Sequence, residues 1–359
     1  MRGDRWISAA PALGGTVNNC AGGPTPWHTW LTCEEDKTDL SETGGLPHGY
    51  VFEVSDDPAK TSGKPIVAMG RFDHEAVALD PRTGAVYLTE DDRNQAGFYK
   101  FVPVNTASEP GALEQGGRLY MAKVAGSDGA DLLDPMIGES HRIEWVEIED
   151  PDLAPQPFTE APFAEDNTAS GPFVQGRQKG GLRMSRLEGC FYSAADRLIY
   201  VVDTSSGSGI DEDTGVVGAG FGEGSVWTFD PASDVLTCVF QSGNPLAGNN
   251  FDNLTISPRG GVLLCEDGGG VEDAFGPGER LMGLTPAGET YIFAKNNVLL
   301  TPSEIRGAGK SLEFIEEGDY RATEWCGATF DPSGRTLFVN VQSPGITFAI
   351  TGPWERGLL

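Results

Sequence analysis

The chain has 359 residues, enough for one large all-β domain or two ordinary ones, and either could bury a substantial core. It carries 53 Asp and Glu against 25 Lys and Arg, a formal net charge of -28. That balance argues against a nucleic-acid or anionic-membrane partner, because phosphate surfaces bind basic patches; it suits either cation binding or a solubilising surface.

Forty-nine glycines and 24 prolines are spread along the chain as turn punctuation rather than gathered in a linker. Apolar runs are short and rich in Val, Ile, Leu, Phe and Tyr, so strands are expected almost throughout, within a single domain over 1-359. No transmembrane segment is visible, so no membrane insertion is expected. Met1 to Trp6 leads into no long apolar stretch of the export-signal kind.

The first distinctive stretch is Asn18-Asn19-Cys20-Ala21-Gly22-Gly23, followed by an apolar strand through Leu31 and three acids, Glu34, Glu35 and Asp36. Consecutive carboxylates repel one another unless something positive sits among them, and a bound cation would supply that charge. Next comes a unit reading acid, strand, Asp-Pro-x-x-Gly turn, strand, acid, from His74-Glu75 through Asp80-Pro81 to Glu90-Asp91. It returns at Leu187 to Asp203, at Asp252 to Asp267 with a Ser-Pro turn, and at Glu324 to Asn340. Hairpins are expected after the first three copies, at 97–124, 224–240 and 280–294. Two inner and two outer strands per repeat make a four-stranded propeller blade, with an irregular β-sandwich as the alternative. Residues 126-181 break the pattern and read as an insertion or a degenerate blade; 216–224 and 268–278 read as flexible loops.

In a propeller, residues at one repeat position meet at one end of the central channel. The repeat-start acids are Glu75, Glu188, Asp252 with Asn253, and Glu324. Hard cations such as Ca²⁺ take six to eight such oxygens. Cys20 adds a soft ligand, suited to a transition metal such as iron. His74 could ligate or orient a ligand, while Cys33, Cys190, Cys238 and Cys265 lie in apolar runs and read as core. The acids ending the second strands, Asp203, Glu90, Asp91, Glu266 and Asp267, are expected at the opposite rim, unless pleat and bulge turn one inward, and read as supporting or surface groups. Arg186, two residues before Glu188, could hold an anionic oxygen with its guanidinium fork or pair with an acid. No nucleophile elbow, phosphate-binding loop or zinc-protease helix is present, which leaves metal-assisted hydrolysis.

Asn19-Cys20-Ala21-Gly22-Gly23, Thr32-Cys33-Glu34-Glu35, His74-Glu75-Ala76, Thr89-Glu90-Asp91, Asp252-Asn253-Leu254, Cys265-Glu266-Asp267-Gly268 and Gly327 to Gln342 together resemble the PhoX family of bacterial exported alkaline phosphatases. The resemblance covers Thr16 to Trp354 and implies a six-bladed propeller, here with room for an incomplete blade. It implies a channel holding Fe³⁺ and Ca²⁺ and hydrolysing phosphomonoesters. By motif matching, Cys20 bridges the irons, Glu35, Glu75, Glu188, Asp252 and Glu324 are metal ligands, and Arg186 contacts phosphate. A small-molecule phosphoester as substrate, a monomer, and a periplasmic or extracellular location are implied with it, although family members usually carry an export signal and a longer stretch before the Asn-Cys-Ala motif. His28 stands where the family usually has Gly, and Ser343 where it often has His. Two other readings stay open: a non-catalytic calcium- or partner-binding propeller, and a calcium-dependent lactonase, which would not need Cys20.

Overall fold

The four repeated units fold as antiparallel strand pairs, and a residue of positive φ stands in each of their turns: Gly84, Arg197, Gly260 and Gly334. The computed structural model describes residues 10–163, 167–211 and 215–359. Its first unit has three strands, β1 (Asn19–Pro24), β2 (Trp30–Glu34) and β3 (Val51–Val54). The second is β4 (His74–Leu79), β5 (Val86–Glu90), β6 (Phe98–Pro103) and β7 (Gly117–Val124). Residues 126–181 supply a long strand, β8 (Ser140–Ile148), a short pair, β9 (Gln156–Pro157) with β10 (Thr168–Ala169), and one helix, α1 (Gly171–Gln178). One end of β8 pairs with β7.

The third unit is β11 (Leu187–Tyr192), β12 (Ile199–Asp203), β15 (Ser225–Asp230) and β16 (Val235–Gln241), with a hairpin, β13 (Ser208–Ile210) and β14 (Val217–Ala219), inserted between its second and third strands. The other end of β8 pairs with β16, so this strand joins the outer edges of the second and third units. The fourth unit is β17 (Phe251–Ile256), β18 (Val262–Glu266), β19 (Arg280–Leu284) and β20 (Thr290–Lys295). After a short pair, β21 (Leu299–Leu300) with β22 (Gly318–Asp319), flanking α2 (Pro302–Gly307), the last unit is β23 (Trp325–Phe330), β24 (Thr336–Val341) and β25 (Ile346–Thr351). The stretch from 216, expected to be loop, thus carries β14; 268–278 holds only an isolated bridge, Asp273 to Gly276.

The core lies between the units, as in a propeller. Successive residues of a strand point to opposite faces. Ala76 and Ala78 of β4 therefore pack with Tyr87, Trp227 and Phe229 toward the third unit, while Val77 and Leu79 pack with Leu31, Val51 and Phe72 toward the first. In β18, Val262 and Leu264 face Val226 and Phe251, and Leu263 and Cys265 face Trp325 and Val339. Cys33, Cys190, Cys238 and Cys265 are buried and free, as their apolar surroundings suggested.

The inner strands approach closely because glycines line them. A Cβ on Gly23 would lie 2.0 Å from the Val77 carbonyl, and one on Gly189 would lie 2.7 Å from the Asp252 carbonyl. The fold is an all-β propeller with five units among the described residues. Among those residues no helix is long and apolar enough to cross a membrane.

Candidate metal centre

Every inner strand carries the same irregularity. Its pairing with the next strand slips by one residue between Cys20 and Gly23, His74 and Val77, Leu187 and Cys190, Phe251 and Leu254, and Cys326 and Thr329. A β-bulge re-aims the residues within it. The first residue inside the bulge is Glu75, Glu188 and Asp252 in three consecutive units, so the repeated acids occupy one structural position. Cys20 stands one place earlier in its unit. Glu324 is not at the equivalent position, which belongs to Gly327, but it reaches the same group from just ahead of β23.

Two clusters result. One ligand atom each from Cys20, Glu35 and Glu75 lie within 4.8 Å of one another, and the same holds for Asp252, Asp267 and Glu324. Asn253 joins the two, its amide donating to Glu75 Oε1 at 3.1 Å and to Asp252 Oδ1, while Gly327 N–H donates to its carbonyl oxygen at 3.0 Å. Arg186 completes the site. Its guanidinium grips Asp91 with two bonds of 3.0 and 3.2 Å and lies 2.7 Å from Glu188 Oε1. Its backbone is left-handed, at φ 55°, and is fixed by Arg186 N–H to Asp92 O and Thr204 N–H to Arg186 O.

Asp91 and Asp267 correct the expectation that second-strand acids sit at the opposite rim. In an antiparallel pair the end of the second strand lies beside the start of the first, and His74 pairs with Glu90 and Phe251 with Glu266. Alternation then separates each Glu-Asp couple. Glu90 turns into the protein, accepting from Gly97 N–H, Tyr99 Oη and Ser170 Oγ; Glu266 accepts from Asn249 N–H and from the Arg280 backbone and guanidinium. The following Asp of each couple faces the centre. Asp203, fully buried at the corresponding end of β12, is not in either cluster. His74, next to Glu75 in the chain, points the other way: its Nε2 meets Gly70 O at 3.0 Å, its ring lies against Phe72, and burial lowers its pKa to about 3.

The electrostatics are those of a site that gathers more negative charge than its own cations can balance. Burial first, and then Asp91 and Asp252, push the Glu35 carboxyl up to about 8. Burial and Asp252 push Glu324 to about 11 and Asp267 to about 6. Glu75 and Glu188 are raised well above the carboxylate range, again by burial and then by Asp252, and burial followed by Glu75 does the same to the Cys20 thiol. Neither Glu188 oxygen accepts a hydrogen bond of good geometry, although Arg186 is at ion-pair distance. Orphaned buried oxygens, a thiol and convergent carboxylates fit multivalent cations, with oxygen donors for a hard ion and sulfur for a softer one. A separate apolar groove of about 340 Å³, lined by Tyr291, Phe293, Ile350, Trp354 and Leu358 among others, contains none of these groups.

Fold and site together define a β-propeller protein whose inner strands bring acids, one thiol and one arginine to a centre able to hold cations. The family model described as Alkaline phosphatase PhoX matches residues 7–345, and the chain belongs to that family. Among solved structures, Pseudomonas fluorescens PhoX in complex with vanadate, a transition state analogue, superposes with a TM-score of 0.58 at 22% identity, over 92% of this chain and 65% of that one. The chain therefore spans just under two thirds of that relative's length. A gluconolactonase from Xanthomonas campestris (TM-score 0.35, 11% identity, 92% of this chain and 70% of that one) and the hydrazine synthase of Kuenenia stuttgartiensis (0.39, 11%, 100% and 82%) are more distant. No curated protein matches significantly.

Proposed function

We propose that this protein is a metal-dependent phosphomonoesterase acting on small-molecule phosphate esters, with Fe³⁺ and Ca²⁺ as its cations. The observation that carries the reading is the convergence of the Cys20 thiol and the bulge acids Glu75, Glu188 and Asp252 beside Arg186. Cys20, Glu35 and Glu75 would hold the softer ion; Asp252, Asp267 and Glu324 would hold a hard one, and Glu188, paired with Arg186, feels the charges of Asp252 and Glu75 from each set. Bound there, the cations supply Lewis acidity toward the phosphoryl group.

The chain's own residues do the rest. Arg186 is held by Asp91 in one orientation, and its planar fork suits the equatorial oxygens of a phosphoryl group in transfer. Asn253 keeps Glu75 and Asp252 at fixed spacing, so the two clusters act as one unit. Family membership supports the same chemistry, and with it export and a single working domain; we take the monomer as the working form.

Elemental analysis of the purified protein, combined with p-nitrophenyl phosphate hydrolysis before and after chelation, tests this reading. Iron and calcium in stoichiometric amounts and turnover abolished by chelators are expected. An intact preparation holding neither metal, or one with full activity after their removal, would sink it.

A further inference from the structure

Arg93 stands two residues beyond Asp91, in the turn that follows β5, and is exposed. This turn is knit to the segment bearing Arg186. Arg186 N–H donates to Asp92 O at 3.1 Å, and Asn94 N–H donates to Ser185 Oγ at 3.1 Å. The β13–β14 hairpin is seated on the same spot: Ser185 Oγ donates to Gly220 O at 2.9 Å, and a Cβ on Gly220 would lie 1.7 Å from Asn94 Oδ1. Next in the chain is Phe221, whose ring centroid lies 5.6 Å from the Arg93 guanidinium carbon.

The two arginines differ in what they face. Arg186 is occupied by two carboxylates, Asp91 and Glu188. Among the described residues no carboxylate comes within ion-pair distance of Arg93, and its one close partner is the Phe221 ring. Partial burial first, and then Arg186, lower its pKa, while Asp211, Asp91 and Glu188 attract it from beyond ion-pair distance. Beyond Phe221 the hairpin offers apolar surface, with cross-strand neighbours Ile210 and Val217 exposed at 61% and 74%. An anion with an apolar body matches that combination of charge and surface.

We propose that Arg93 and Phe221 form a subsite at the mouth of the centre for an anionic group on the alcohol part of a phosphate ester. Arg186 faces the phosphoryl group, and Arg93 takes the second charge further out. The substrates favoured are esters whose alcohol carries a carboxylate or another phosphate on an apolar body. The assignment of the inner group to phosphoryl rests on the phosphatase reading above.

The test is calorimetric binding of two non-hydrolysable ligands, benzylphosphonate and 4-carboxybenzylphosphonate, to protein loaded with iron and calcium. A charge-assisted hydrogen bond is worth roughly 1.5 kcal/mol or more, so the carboxylated ligand should bind about tenfold tighter to the wild type. Arg93→Ala should bring that ratio to about one, and Arg93→Lys should leave it intermediate. A ratio near one in the wild type, a ratio unaffected by Arg93→Ala, or no binding of either ligand overturns the subsite. Hydrolysis of p-nitrophenyl phosphate, followed in parallel, separates the two ideas. An Arg93-dependent ratio without turnover of any ester keeps the subsite and removes the phosphatase reading; turnover with a ratio indifferent to Arg93 does the reverse.

Discussion

Cys20 and Glu75, 55 residues apart in the chain, meet with Sγ 3.0 Å from Oε1. The contact exists because β1 and β4 run parallel with Gly22 opposite Ala76, an approach so close that a Cβ on the next residue, Gly23, would strike the Val77 carbonyl. Thiolate and carboxylate at that distance repel, and in the protein alone the thiol keeps its proton, its pKa raised by burial and by Glu75. A bound transition metal would reverse this by coordinating the thiolate. Cys20→Ser should therefore lose iron and any thiolate-to-metal absorption band, and turnover should fall at least about 100-fold, in line with the loss of a ligand or its support. Calcium content near the wild-type value in the same variant would separate the sulfur-bearing cluster from the all-oxygen one. Unchanged iron and activity would remove Cys20 from the centre.

How much of this was legible in the sequence depends on the kind of interaction. The blades were, because alternation and turn residues are local, and the turns at Asp80 to Gly84 and Asp331 to Gly334 form with positive φ at the glycine. Cys20, Glu35, Glu75, Glu188, Asp252 and Arg186 were singled out by repeat position and motif, and the structure brings them together. Asp91 and Asp267 were not legible as members of the centre, because their place depends on strand pairing: the end of β5 neighbours the start of β4, and one residue beyond Glu90 the chain turns back to the centre. The shared bulge could not be read, since its extra residue shows only against the partner strand. His28 shows the converse. It has φ 67°, a conformation in which the family's usual glycine carries no strain, so the substitution becomes intelligible only with the backbone in view.

Removing metals should expose the repulsion among the acids. Glu188 is buried with both oxygens lacking a hydrogen bond, and its nearest compensation is Arg186, shared with Asp91. Wild-type protein should lose several degrees of Tm on chelation and regain them with Ca²⁺. Glu188→Gln should be more stable than wild type in the metal-free state near neutral pH, by about 1–3 kcal/mol, because the raised wild-type carboxyl must take up a proton that the unfolded chain releases. It should also gain less from added metal. Thermal melts with and without chelator check both effects; a variant destabilised equally in the two conditions would point to packing instead.

The fork of Arg186 is specific in geometry as well as charge. Nε and Nη2 both bond Asp91, and Nη2 also contacts Glu188, a planar arrangement that an ammonium cannot reproduce. Arg186→Ala and Arg186→Lys should both lower kcat/KM for p-nitrophenyl phosphate, the alanine by about 100-fold or more, with lysine recovering little. Asp91→Asn should lower it less, since it loosens the arginine's orientation without removing its charge. A lysine variant with near wild-type kinetics would mean that only positive charge matters there.

Glu279, outside both clusters, gives a pH dependence of its own, to which the nearby Asp267 charge adds. It is fully buried at the start of the fourth unit's third strand, and neither carboxylate oxygen has a hydrogen-bond partner. Burial, and after it the charge of Glu266, lifts its carboxyl from 4.5 to about 8; Gly269 and Gly270 N–H groups draw it part of the way back without bonding it in good geometry. A folded pKa above the unfolded one means that the native protein holds a proton the unfolded chain releases. The stability linked to that proton is complete below about 4.5 and is lost as pH rises through about 8, with a slope of at most about 1.4 kcal/mol per pH unit. Glu279→Gln cannot titrate and should lack that slope. Urea unfolding of both proteins from pH 5 to pH 9 should show similar stability at the acid end and a growing advantage for the glutamine variant toward pH 8. Curves that stay parallel across the range would show that Glu279 keeps its ordinary acidity in the fold, through a partner that its buried oxygens acquire in solution.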